Sequence, residues 1–175
     1  SGRSTSVNHI GLKSVGVPGT VAGLYLAHNK YGKLPWKTLV QPAIDLAENG
    51  FPLTWSLSQR AVFFHKNSDI QFLQDYFKHD NGALVNFGET WKQPALANTL
   101  KAIRNNGKDG FYKGNVAKEI AKYMKKNGGI ITKKDLEKYE AIERKPIKGS
   151  YKDYEIYSMP PPSSGGVALV EMMNI

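Results

Sequence analysis

The 175-residue chain contains no cysteine. That excludes a disulfide framework, a thiolate metal site and a cysteine nucleophile, and it leaves the compartment open. No apolar run approaches the roughly 18 residues that would read as a membrane span. The first residues lack the charged and apolar regions of a signal peptide, so any targeting segment is expected outside this sequence. A metal-binding pattern is missing as well. His9, His28, His65 and His79 form no i, i+4 pair and have no carboxylate arrangement suited to zinc. They read as surface or capping histidines, and neither a metal nor a cofactor is expected.

Acidic residues are scarce beside basic ones, 15 against 24, for a formal charge of +9. The lysines are dispersed, however. In "YMKKNGGIITKKDLEKYEAIERKPIKGSYKDYE" acids interrupt them, and no aromatic or glycine-rich RNA-binding signature appears. A solvated basic surface is expected rather than a nucleic-acid partner. Asp135 and Glu137 lie on a lysine-rich helix and read as solvated charges, not as a catalytic pair.

With 41% hydrophobic and 22% charged residues, the chain is ordinary globular material and long enough to bury one core. No internal repeat or low-complexity linker marks a boundary, so residues 1–175 read as a single partial domain. Helical periodicity dominates the first three quarters. "VPGTVAGLYLAHNKYGKLP" places Val21, Leu24 and Tyr25 on one face, with Gly32 as the stop. "WKTLVQPAIDLAENG" carries a stripe of Val40, Ala43, Ile44 and Ala47, with Pro42 expected in the first turn and a separate short turn before it. Leu57, Ala61 and Phe64 predict a helix from Thr54, and "DIQFLQDYF" a shorter one. "KHDNGALVNFGETWKQ" reads as a loop or short hairpin. Leu96, Leu100 and Ile103 then mark a helix opened by Pro94 and ended by Gly107. Asn115 is expected to cap a helix burying Val116, Ile120 and Tyr123, and Thr132 with Asp135 resembles a capping pair.

After Tyr139 the period shifts toward two. Strands are expected near residues 142–148 and 153–158, joined around Gly149, with Tyr151, Tyr154 and Tyr157 covering a core edge. The segment "SMPPPSSGGVALV" comes next. Its prolines hold the chain extended, and its glycines allow positive φ and close backbone approach just before a helix. Such a turn serves either tight packing or an anion site. Both uses require small residues, and Gly165 in particular is expected to reject a β-branched side chain. The helical pattern is expected to run to Ile175, which suggests a piece of a longer protein.

Four segments in this order, "SVGVPGTVAGL", "YGKLPWKTLVQPAIDLAENGF", "FYKGNVAKEIAKYMKKNGGIITKKDLEKYEAIERKPIKGSY" and "YSMPPPSSGG", resemble the large subunit of gamma-glutamyltranspeptidases. The resemblance implies an α+β fold, the mainly helical portion of an N-terminal-nucleophile hydrolase αββα sandwich. It also implies a proenzyme that cleaves itself into two subunits. A threonine freed at the start of the small subunit attacks a gamma-glutamyl amide such as glutathione, its own amine serving as base. The acyl group then passes to water or to an amino acid or peptide acceptor. A periplasmic or secreted location is implied too.

On that resemblance the processing threonine lies beyond Ile175 and the arginine for the glutamyl carboxylate before Ser1, so no catalytic residue is expected within this chain. Ser1 itself reads as a cut-site remnant rather than an N-terminal nucleophile. Ser163, Ser164, Gly165 and Gly166 are the substrate-binding candidates, placed near the cleft shared with the small subunit. Three function classes stand: part of a gamma-glutamyl transferase, with a cephalosporin-acylase-like or poly-gamma-glutamate-processing enzyme as its close variant; a lysine-rich binding module; or a helical cover that shapes a site elsewhere.

Overall fold

In the computed structural model, residues 9, 11–68 and 71–175 are described. They fall into two compact units, one up to Glu140 and the other from Ala141 to Ile175. The first is helical, with α1 (Thr20–Tyr31), α2 (Trp36–Asn49), α3 (Trp55–Asn67), α4 (Gln71–Asp75), α5 (Pro94–Asn106), α6 (Asp109–Tyr112), α7 (Gly114–Lys126) and α8 (Lys133–Glu137). Two short strands, β1 (Phe51–Pro52) and β2 (Thr90–Trp91), pair antiparallel within it. None of the described helices is long and apolar enough to cross a membrane.

Its aromatic core forms where β1, α3 and β2 meet. Leu53, Ala61, Phe77, Val85 and Trp91 are buried together, with Phe51, Leu57 and Phe64 packed around them. The Trp91 ring lies 4.7 Å from Phe77 and 5.8 Å from Phe51, an arrangement that adds edge and offset contacts to simple area burial. A second contact joins α2 to α5. Ile44 and Ile103 are buried there, Trp36 Nε1 donates to the Ile103 carbonyl at 3.0 Å, and Lys101 pairs with Glu48.

Several local expectations need correction. Pro42 lies inside α2 rather than in its first turn, because the helix already starts at Trp36 behind Pro35. Pro42 sits on the exposed side, where water can serve the carbonyl that loses its helical partner. Asn115 is not a cap, since α7 begins at Gly114 after Lys113. Leu24 and Tyr123, expected inside, are 60% and 58% exposed. Their buried places go to Ala22 and Met124. α1 is apolar nearly all round, so its periodicity could not choose a face. Ala22 wins because Tyr112 packs there: its hydroxyl donates to the Pro18 carbonyl at 2.5 Å and accepts from the Ala22 amide at 3.2 Å. A distant side chain thereby caps α1, which has no cap of its own.

Other expectations match. The helix expected from Thr54 is α3, which Thr54 caps, and Thr132 and Asp135 form a capping box on α8. Hydrogen bonds from Thr132 hold the Asp135 carboxyl below its usual range. Glu137 pairs with Lys133 at 3.0 Å. The expected loop from Lys78 is a bridged turn, with Lys78 opposite Leu84 and Gly82 at φ +83°. Glu89 clamps it, accepting from the Asn86 amide at 2.8 Å and approaching His79 Nε2 at 3.1 Å.

The second unit is the hairpin β3 (Ile147–Tyr151) and β4 (Tyr154–Ser158) followed by α9 (Gly165–Met173). Ile147 pairs with Ser158 and Gly149 with Ile156. Gly149 is therefore inside a strand, and the joint is Lys152–Asp153, with Lys152 at φ +50°. The reason is packing. A Cβ on Gly149 would come within 2.6 Å of Val170 on α9. Tyr151, Tyr154 and Tyr157 are exposed rather than packed within this unit. Gly165 and Gly166 are helical, and neither has positive φ. A Cβ on Gly165 meets nothing closer than the Ser163 hydroxyl at 3.7 Å, whereas one on Gly166 would lie 2.2 Å from the Met159 carbonyl oxygen. The intolerant position is Gly166, not Gly165.

Two outcomes are expected. Gly166→Val should lose about 1–3 kcal/mol through overpacking against fixed backbone, while Gly165→Ala should be neutral or slightly stabilising. Urea denaturation checks both, and equal losses would contradict the geometry. The second concerns pH. Hydrogen bonds from the Asn86 amide, then from His79 and the Asn86 side chain, lower the Glu89 pKa from 4.5 to about 2. A lowered folded-state pKa stabilises at pH above about 4.5, and that contribution fades as pH falls toward 2. Glu89→Gln should flatten the stability-against-pH curve in that window. An unchanged slope between wild type and variant would rule out the clamp.

Candidate functional site

The four candidate residues lie together where the chain leaves β4 and enters α9. Pro160 to Pro162 carry the backbone out of the strand, and the Ser163 amide closes the turn on the Pro160 carbonyl at 3.2 Å. Ser164 is the N-cap residue of α9, but its side chain makes no capping bond. The first helical bond runs from the Ala168 amide to the Ser164 carbonyl at 3.0 Å. The amides of Gly165, Gly166 and Val167 thus precede any intrahelical partner, as at every helix start. Ser163, Ser164 and Gly165 are exposed, and Gly166 is buried against Met159.

An open groove of about 640 Å³ runs beside this turn. Met159, Pro160, Pro162 and Ser163 form one side, and Ile142, Arg144 and Pro146 the other, with Tyr157 and Ser158 between them. Its chemistry is apolar with one cation and a few hydroxyls. Of the candidates, only Ser163 lines it. Arg144 and Ile142 were not among the candidates, and Tyr157, expected to cover a core edge, lines the groove instead. Tyr157 is placed by hairpin register, which sets Ile147 opposite Ser158 and Lys148 opposite Tyr157, and Ile142 and Arg144 lie in the segment that leads into β3. Tyr157 is itself oriented, donating to Glu155 at 2.9 Å with Lys148 Nζ 5.5 Å from its ring centre. Lys148 and Tyr157 together hold the Glu155 carboxyl below its usual range.

This arrangement can present hydroxyls, amides and a guanidinium to a ligand. It does not contain an activated nucleophile. Among the described residues, neither serine hydroxyl is hydrogen-bonded to a histidine or a carboxylate, and the second unit contains no histidine. The histidines do structural work elsewhere: His28 Nε2 bonds the Leu34 carbonyl at 2.8 Å, and His65 Nδ1 lies 3.2 Å from that of Gln74. No group of three or more potential metal ligands occurs among the described residues. Ser1 lies outside them.

Comparison with known proteins gives the arrangement a context. The sequence pattern of the family described as Gamma-glutamyltranspeptidase matches residues 1–175. The chain is 46% identical over 167 residues to the glutathione hydrolase proenzyme of Escherichia coli, covering 91% of this chain and 28% of that protein. It therefore spans little more than a quarter of that relative's length. Among solved structures it resembles the gamma-glutamyltranspeptidase of Helicobacter pylori with a TM-score of 0.90 and 41% identity, over 97% of this chain and 49% of that one. It also resembles the transpeptidase enzyme CapD of Bacillus anthracis, with a TM-score of 0.78 and 42% identity over 91% of this chain and 54% of that one. The mostly helical α+β region with its two small strand pairs matches part of these structures. On the full-length pattern match and this identity, the chain belongs to the gamma-glutamyltranspeptidase family.

Proposed function

We propose that this chain is part of the large subunit of a proenzyme that cleaves gamma-glutamyl amides, glutathione among them, and passes the gamma-glutamyl group to water or to an amino acid or peptide. The observation that carries the reading is 46% identity to a glutathione hydrolase proenzyme across nearly the whole chain. In the full protein an N-terminal-nucleophile αββα sandwich would hold the reacting groups. The threonine at the head of the small subunit adds its hydroxyl oxygen to the amide carbonyl. The amine leaves with the proton, and an ester remains on the enzyme. Water or an acceptor amine then breaks that ester and restores the threonine. Export to the periplasm or cell surface belongs to the same reading.

The role of this chain is to shape and line. The Ser163–Gly166 turn offers small residues and free first-turn amides, which suit a carboxylate of the substrate or a neighbouring loop of the small subunit. Gly166 keeps α9 against Met159 and so fixes where the turn points. A second reading has specific support, because CapD shares 42% sequence identity with this chain, level with the 41% of the Helicobacter enzyme. In that reading the complete protein is a transpeptidase acting on a poly-gamma-glutamate chain rather than a small thiol peptide.

One set of assays separates these. The complete precursor is expected to split into two subunits on a gel and to release amine from a gamma-glutamyl anilide, whereas residues 1–175 alone should release none. Amine release by the isolated chain, or a processed precursor inert toward every gamma-glutamyl amide, would overturn the proposal. Preference for poly-gamma-glutamate over glutathione in kcat/KM would favour the second reading. Ser164→Ala in the precursor should leave processing intact, and a large rise in KM with unchanged kcat would mark the turn as a binding element.

A further inference from the structure

We propose that the exposed face of α7 is a docking surface for anionic lipid headgroups, holding the protein peripherally at a membrane. Within its thirteen residues α7 carries four lysines and one glutamate. Lys118, Lys122 and Lys125 follow one another at i, i+4 and i+7, which sets them on one side of the helix, and Lys126 adjoins them. All four are exposed, on the side away from the buried Ala117 and Met124. None of the ion pairs among the described residues uses them, although lysines on either side are paired, Lys113 with Asp109 and Lys133 with Glu137. Four neighbouring ammonium groups without a partner repel one another, and an anionic surface relieves that repulsion.

The kind of anion follows from residue choice. The patch contains no arginine, whose planar fork would read individual phosphates, and lysine point charges suit a diffuse field of headgroups instead. Beside the lysines, Tyr123 is 58% exposed and, just past the helix, Ile130 is 63% exposed. An amphipathic ring and an aliphatic side chain fit the headgroup boundary. The apolar side of α7 is already spent on the protein core, so the helix cannot sink into the bilayer. Contact is therefore electrostatic and reversible by salt.

The test uses the complete precursor in sedimentation with vesicles of phosphatidylglycerol and phosphatidylcholine, or of phosphatidylcholine alone. Binding to the anionic vesicles should exceed binding to neutral ones by about tenfold or more at 0.1 M salt and vanish near 0.5 M. Replacing Lys118, Lys122, Lys125 and Lys126 with glutamine should lose at least about tenfold. A control replacing the exposed Lys33, Lys37, Lys66 and Lys92 removes the same charge and should lose far less. Circular dichroism and gamma-glutamyl turnover confirm that both variants fold. Equal loss in the two variants would reduce the effect to net charge and overturn the proposal. So would indifference to lipid charge, or tighter binding to soluble polyphosphate than to vesicles of equal phosphate content.

Discussion

The second unit depends on two close approaches, each of which a glycine permits by having no side chain of its own. At Gly149 the backbone of β3 lies directly under Val170, and at Gly166 the first turn of α9 presses on the Met159 carbonyl. Interiors are close-packed, so an added methyl group would displace the Val170 side chain at the first place and backbone at the second. These two approaches hold α9 against the hairpin and against Met159, which lines the groove beside the Ser163 turn. The prolines set the path, but the glycines set the distance.

Much of this was legible in the sequence wherever the signal was local. A helix start written as Thr-x-x-Asp gave the α8 capping box, because both partners lie within one turn. The strand before Met159 and the helix after the proline run were readable for the same reason. Legibility failed where the deciding partner was remote. Gly149 looks like a hairpin joint until Val170 is opposite it, and Gly165 looks as constrained as Gly166 until Met159 is placed. The inward face of α1 is chosen by Tyr112, for which nothing in α1 itself gives notice.

The candidate site divides along the same line. Its turn residues form a motif and were found as one. Tyr157 joins them through the antiparallel register of β3 and β4, which spacing in sequence does not encode, and Arg144 through the segment that leads into β3.

The hydroxyl of Tyr112 spends its single proton on Pro18 and offers a lone pair to the Ala22 amide, so two backbone groups of the N-terminal segment share one atom contributed from 90 residues away. The start of α1 therefore has no local route to completion. A chain that has made α1 but not yet brought α6 alongside it must carry an unfinished helix end, and closing so long a loop costs entropy before any bond repays it. Loss of α6 from its seat would release both backbone groups at once. That makes the opening of α1 and the departure of α6 a single cooperative event rather than two.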